Sequence, residues 1–295
     1  MKIGLIDVDG HNYPNLALMK LSAWHKKQGD EVEWWWGWSQ YDVVYMSKIF
    51  DDSYSQDISE PVNAELIIKG GTGYSLSKNL PEKIEHMCPD YSIYPTLTKN
   101  TAYGFLTRGC PRACPFCIVS AKEGRKSVRV ADLSEWWRGQ KNIKLMDPNI
   151  LACDEYENLL NQIEKSKAQV DINQGLDARL LTKDIVSRLN SINLKSVHFA
   201  WDLMSQSEAV LTGLELYRKY GNLSERKTAV YVLTNFNTTL EEDLYLVYKL
   251  REMGLTPYIM IYDKPSAPKE VRRLQRWVNN RFIFRSCDKF EDYNG

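Results

Sequence analysis

The chain has 295 residues, 43% of them apolar and 26% charged, and its 38 basic residues balance its 38 acidic ones. That composition excludes wholesale disorder, and zero net charge excludes a whole-molecule field that draws in nucleic acid, leaving only a local basic patch to do so. No apolar run approaches the roughly 18 residues that span a bilayer, residues 1–10 lack a signal-peptide core, and six cysteines in such a chain point to thiols or metal ligands; a cytoplasmic protein with no membrane partner is expected.

Residues 2–6 read as a short apolar strand and residues 7–14 as a polar loop. Ala17, Leu18, Leu21 and Trp24 then recur at helical spacing. Lys26 and Lys27 suit the last turn of that helix, facing its negative dipole end, and Gly29 suits the position just past it. Residues 31–36, 42–46 and 64–68 read as further strands, the last closed by Gly70 and Gly71. The alternation predicts a small doubly wound, Rossmann-like α/β domain over residues 1–95. The cluster Trp34, Trp35, Trp36 and Trp38 is expected to pack against something, an exposed aromatic surface being the minority reading. Residues 81–99 carry several prolines and little periodicity and read as a linker, with the boundary near residue 95.

Residues 96–295 continue as a βα series. Strands are expected at 102–107, 143–147, 170–173, 196–201, 229–233 and 257–261. Between and after them, Tyr156, Leu159, Leu160 and Ile163 fit one apolar stripe, as do Leu240, Leu244, Val247 and Tyr248, and Val271, Leu274 and Val278. Thr239 and Glu242 form a capping box. Six βα units in succession imply a parallel sheet, which can curl into an open, partial (β/α)6 TIM-like barrel short of the eight strands needed to close one.

The sharpest signal is Cys110, Cys114 and Cys117, spaced C-x3-C-x2-C directly after the first strand of that series, where barrel active sites lie. Pro111 and Pro115 resist helix formation, so the loop can wrap an object. Three thiolates suit three corners of a cubane iron–sulfur cluster and leave one iron open. A closed zinc site wants four ligands, and no Cys or His stands nearby to complete it; an incomplete zinc site or three unliganded thiols are the alternatives. Cys88, Cys153 and Cys287 are scattered and read as packing residues.

This pattern resembles the radical S-adenosylmethionine (SAM) superfamily, with Phe116 at its usual aromatic position before the last cysteine. The resemblance covers roughly residues 100–285. It implies a [4Fe-4S] cluster on Cys110, Cys114 and Cys117, SAM on the open iron, and one-electron cleavage of SAM to methionine and a 5′-deoxyadenosyl radical that abstracts hydrogen from a substrate. It also implies Phe116 as a SAM contact and a reductant such as flavodoxin or ferredoxin as partner. Further sites are expected at strand ends. Asp147 and Asn149 stand where the superfamily has a Gly-Gly-Glu-like segment, and this chain departs from that wording. Asn173, Gln174, Asp177 and Arg179 follow the third strand, reading either as ribose or carboxylate contacts or as a polar turn with Asp177 and Arg179 paired. Asp202 and Asn235 end the fourth and fifth strands as cofactor-face residues, and His198 reads as a core histidine.

Residues 1–95 resemble the cobalamin-binding (B12-type) domain that precedes the barrel in one radical SAM subgroup. Ser47 is similar to the family's Ser-x-Leu element and Gly70 with Gly71 to its Gly-Gly element. Asp9, Gly10 and His11 resemble the start of its Asp-x-His-x-x-Gly motif, but Pro14 replaces the glycine. Two readings stand: a corrin site that assists methyl transfer, and a degenerate domain without one. Basic residues at Lys122, Arg125, Lys126 and Arg129, and at Arg272, Arg273 and Arg276, read as solvated charge or as contacts to a phosphate-bearing substrate. The sequence does not name the substrate, and nucleic acid or peptide modification stands beside a non-catalytic electron-transfer protein as the alternatives.

Overall fold

A computed structural model describes residues 1–10 and 12–295; His11 lies outside the described residues. The chain is α/β, with parallel strands in its two larger sheets. Strands β1 (Lys2–Asp7), β2 (Glu31–Trp34), β3 (Tyr41–Ser47) and β4 (Ala64–Gly70) form a four-stranded sheet in the order β2-β1-β3-β4. All its pairings are parallel. Strands β5 (Thr101–Gly104), β8 (Asn142–Leu145), β9 (Gln169–Ile172), β10 (Leu194–Ala200), β11 (Thr228–Thr234) and β12 (Thr256–Ile261) lie side by side in chain order in a six-stranded sheet. Between β5 and β8, β6 (Thr107–Arg108) and β7 (Val128–Arg129) make a two-stranded antiparallel ribbon.

The chain divides into two compact units. Unit 1 holds Met1–Leu106 and Val130–Lys144, and unit 2 holds Thr107–Arg129 and Leu145–Gly295. In unit 1 the alternation of strand side chains sends Ile3, Leu5 and Val43 to one face of the sheet, against Leu18 and Leu21 of the helix Leu16–Lys27. Ile6, Val44 and Met46 go to the other face with Tyr41. Asn15 caps the helix by accepting from Leu18 N, as a short polar side chain does for an orphan amide. In unit 2 each long helix buries one stripe: Leu159, Leu160 and Ile163 in Tyr156–Ser166, and Leu246, Val247 and Leu250 in Leu240–Glu252. The Thr239–Glu242 capping box opens the latter.

Three expectations need correction. The tryptophan cluster does not pack as a whole. The chain turns after β2, so Trp35 is held by its Nε1 donating to Asn63 Oδ1 at 2.9 Å, while Trp36 is 61% and Trp38 89% exposed. The segment 81–99 is not an unattached linker. Asp90 takes the Ser22 hydroxyl and the Lys26 ammonium, and Tyr94 donates to Asp7, so those side chains fasten the segment to unit 1. Unit 1 therefore runs past residue 95 to Leu106 and takes in Val130–Lys144. The strand expected at 102–107 ends at Gly104, because Leu106 turns its carbonyl to the Val130 amide at 2.8 Å. The cysteine loop then springs from the β6–β7 ribbon instead of directly from the sheet.

Candidate iron–sulfur and SAM site

The site is built in unit 2 on the excursion from β6 to β7. Gly109 starts it in the left-handed region, φ +84°, and a Cβ there would lie 2.2 Å from the Lys126 carbonyl oxygen, so only glycine allows the two ends of the excursion to approach. Glu123 pins the same point. Its carboxylate pairs with Arg108 at 2.7 Å and accepts from Gly109 N at 3.1 Å, while Cys110 N donates to the Gly124 carbonyl. Between these ties the chain is short of regular structure. Pro111 and Pro115 interrupt it, Ala113 has φ +47°, and Cys117 N closes a tight turn on the Cys114 carbonyl at 3.0 Å.

The three thiols are unbridged and partly buried. Burial is the main influence on Cys114 and Cys117 and pushes both thiols up. Cys114 also senses Cys117 and Cys110, and Cys117 senses Cys110. Arg179 acts on Cys114 in the opposite direction, and Asp202 adds to the rise at both. The loop thus gathers soft sulfur donors near one guanidinium and one carboxylate. Among the described residues no group of three His, Cys, Asp or Glu side chains stands at metal-binding separation. The donor chemistry itself, three unbridged thiols on one anchored loop, fits a thiolate-ligated cluster.

Residues from the neighbouring strand ends converge on this loop. Asp147, fully buried after β8, accepts from the Thr107 amide at 2.5 Å and hydroxyl at 2.7 Å, and so fixes the root of the ribbon. Asn149 is 3% exposed; its Nδ2 donates to Cys110 Sγ at 3.6 Å and to Asp177 Oδ2 at 3.3 Å, and its Oδ1 is buried with no hydrogen-bond partner among the described residues. Asp177, after β9, accepts from Arg179 Nε and from Arg112 Nε, both at 2.6 Å. Burial alone would raise its carboxyl, but the two guanidiniums outweigh that and hold it below the usual carboxylate range. The paired turn read in the sequence is therefore present, and it also ties in the cysteine loop through Arg112. Arg179 further donates to Gln206 Oε1 at 2.7 Å.

Phe116 meets Phe236 edge-on at 5.4 Å, and Phe236 meets Tyr262 at 4.9 Å, an apolar side to the loop. Asp202 accepts from Leu233 N, and burial pushes its carboxyl up to about 6 against that bond and the Arg179 charge. Asn235 is in the left-handed region and donates to the Tyr262 carbonyl, bracing the end of β11. Asn173 lies at the end of β9, its amide donating to Leu145 O, and Gln174 is exposed. His198 stacks on Tyr231 at 5.2 Å with its Nδ1 near Ile172 O, as a core histidine does. Sequence reasoning did not single out Arg112, Glu123, Phe236 or Gln206. Arg112 sits inside the motif, where its charge was the available signal; the others needed the fold.

The other basic residues divide. Lys126 and Arg129 pair with Asp154 and Glu155. Arg272, Arg273 and Arg276 donate to the carbonyls of Pro265, Tyr293 and Gly295, so they brace the C-terminal chain.

In unit 1 the positions read as corrin contacts have internal partners. Ser47 is buried and accepts from Asn15 Nδ2 at 2.8 Å. Gly71 has φ +96°, and a Cβ there would lie 2.2 Å from the Lys48 carbonyl oxygen, whereas a Cβ on Gly70 would meet nothing within 4 Å. Asp9 is buried and accepts from the amides of Ile49 and Phe50. Ser47 and Gly71 thus meet the chain's own loops, while Gly70 borders open space.

No protein-family model matches the sequence, and no curated protein matches it.

Proposed function

We propose that this chain is a radical S-adenosylmethionine enzyme whose Cys110, Cys114 and Cys117 hold a [4Fe-4S] cluster. The observation that carries the reading is the pinned loop of three unbridged thiols, with Asn149, Asp177 and Arg179 brought to it from the following strand ends. The sequential strand order of the six-stranded sheet supports a partial (β/α)6 barrel, a fold that carries its active site at the strand C-termini. When bound, the cluster supplies one electron for the reductive cleavage of SAM.

The residues of the chain divide the remaining work. The thiols release their protons on binding metal, and burial moves that release at Cys114 and Cys117 to higher pH. Asn149 orients Cys110 through its Nδ2 and keeps its Oδ1 for a donor, such as the amino group of SAM. Asp177 orients Arg179 and Arg112, a guanidinium pair suited to a carboxylate. Phe116 and Phe236 keep water from one side of the loop. In unit 1 the packing at Ser47 and Gly71 supports the reading without corrin. Electrons come from a flavodoxin- or ferredoxin-type reductant.

The test is anaerobic reconstitution with iron and sulfide, followed by dithionite and SAM. The enzyme yields 5′-deoxyadenosine and methionine. A protein that takes up the cluster and cycles electrons without cleaving SAM is the electron-transfer alternative.

A further inference from the structure

A concavity opens in unit 2 at the N-terminal ends of β11 and β12, the opposite end of those strands from the cysteine loop's side-chain neighbours Asp202 and Phe236. The turn Glu225–Lys227 leads into β11 and Thr256 opens β12, and both belong to this hollow. Asn235 and Phe236 follow the far end of β11. That strand's seven residues put about 20 Å between the two places at roughly 3.3 Å per residue. The hollow has a volume of about 80 Å³ and opens to solvent, so it has room for a compact group only.

Four guanidiniums line it, those of Arg226, Arg251, Arg281 and Arg285, against the single carboxylate of Glu225. Arg251 has its own partner in Asp288 at 2.6 Å and lies over the Phe284 ring. Arg285 reaches Glu225 only at 4.0 Å. Among the described residues, no carboxylate stands at ion-pair distance from Arg226 or Arg281; Arg281 donates to the Arg226 carbonyl at 3.4 Å. Leu255 and Phe284, both buried, form an apolar floor. Like charges gathered around one hollow repel one another, and an anion placed among them is correspondingly favoured. The charges converge on one hollow instead of running in a stripe, which suits a compact ligand better than the extended backbone of a nucleic acid.

We propose that this hollow binds a compact polyanion carrying two or more phosphate-type charges, with Arg226 and Arg281 as its principal contacts. Planar guanidiniums grip phosphate oxygens in pairs, which a lysine does not reproduce. The site is separate from the cysteine loop and does not depend on the proposed radical chemistry.

The full chain is titrated with inorganic pyrophosphate by calorimetry, and its melting temperature is followed over the same range. One pyrophosphate should bind per chain and raise the melting temperature. Arg226→Ala with Arg281→Ala should weaken binding by about tenfold or more and remove the thermal response. The melting temperature of this variant without ligand should stay level or rise, because two uncompensated charges are gone. Should the double variant not fold, Arg226→Gln alone carries the same comparison with a smaller loss. Arg281→Lys should bind with intermediate affinity. The absence of any response to millimolar pyrophosphate in folded protein, or equal affinity in wild type and variant, would overturn the proposal. So would tighter binding of a labelled oligothymidylate than of pyrophosphate, which would assign the arginines to a strand.

Discussion

The loops at the strand C-termini of unit 1 and those of unit 2 use similar residues to opposite ends. In unit 1 the polar groups meet one another: Asp9 takes the Ile49 and Phe50 amides, Ser47 takes Asn15, Lys48 is buried and paired with Asp52, and Gly71 lets the backbone of Lys48 come close. In unit 2 some groups at the strand ends are left unmet: three thiols stay unbridged, and Asn149 Oδ1 is buried without a partner among the described residues. A buried polar atom without a partner costs free energy, and the open acceptor on Asn149 suits a donor that arrives later. The difference teaches that a glycine or a short polar side chain after a parallel strand has no fixed meaning. It closes the strand end in one unit and opens it in the other.

The comparison breaks most readily at the cysteines. Changing Cys110, Cys114 and Cys117 together to Ala should abolish iron and sulfide uptake and the brown chromophore of a thiolate-ligated cluster, with the melting temperature of the apoprotein little changed. A triple variant that still takes up iron would show that the open end of unit 2 is not a metal site.

The closed end of unit 1 should answer in stability instead. Gly71→Ala meets both a positive φ and a backbone oxygen 2.2 Å from the new Cβ, so a loss of about 2–4 kcal/mol is expected in chemical denaturation. Gly70→Ala, with nothing within 4 Å, should change stability by less than about 0.5 kcal/mol. Equal effects at the two glycines would undo the packing account of Gly71.

Asp177 tests the boundary between the two behaviours, since it both braces its turn and holds the cysteine loop through Arg112. Asp177→Asn leaves two guanidiniums without their anion and should cost about 2–3 kcal/mol. The pH dependence has a definite sign. A carboxyl held low in the fold contributes stability that is fully present above its unfolded value near ~3.9 and is lost as pH falls through the lower folded value. The advantage of wild type over Asp177→Asn should therefore be constant at neutral pH and shrink in acid. An advantage that grows on acidification would reverse the assignment.

Much of the scaffold was legible in the residues. Short apolar stretches placed β1, β3, β4 and β9–β12 within a residue or two, because a strand that packs on at least one face is rich in apolar and β-branched residues. The Thr239–Glu242 capping box was legible because a cap is a local device. What failed was long-range. Nothing local says that Leu106 will turn to Val130, or that Asp90 will hold Ser22 and Lys26, and those contacts end β5 and absorb the expected linker. Four tryptophans in five residues could not all be buried, since a turn there points them to different sides. The site was legible as a motif and as strand-end polarity. Its support was not: Arg112 finds Asp177 across 65 residues of sequence.

Asn149 offers the smallest effect and the finest test. Its Nδ2 makes two long bonds, 3.6 Å to Cys110 Sγ and 3.3 Å to Asp177, and its Oδ1 makes none. Asn149→Ala removes those two weak bonds and at the same time removes an acceptor that was buried without compensation. The two changes oppose each other, so folding stability should move by less than about 1 kcal/mol. If Oδ1 is kept for a donor on SAM, the cost appears only when SAM binds: affinity of the reconstituted protein should fall by about tenfold, roughly the worth of one hydrogen bond. Asp9→Ala in unit 1 is the counterpart, with a stability loss of about 2 kcal/mol expected from the amides it would strand. Equilibrium denaturation of both variants, with SAM binding measured on the reconstituted Asn149→Ala protein, decides the matter. A large stability loss with unchanged SAM affinity would place Asn149 with Asp9 among the groups that only close the fold.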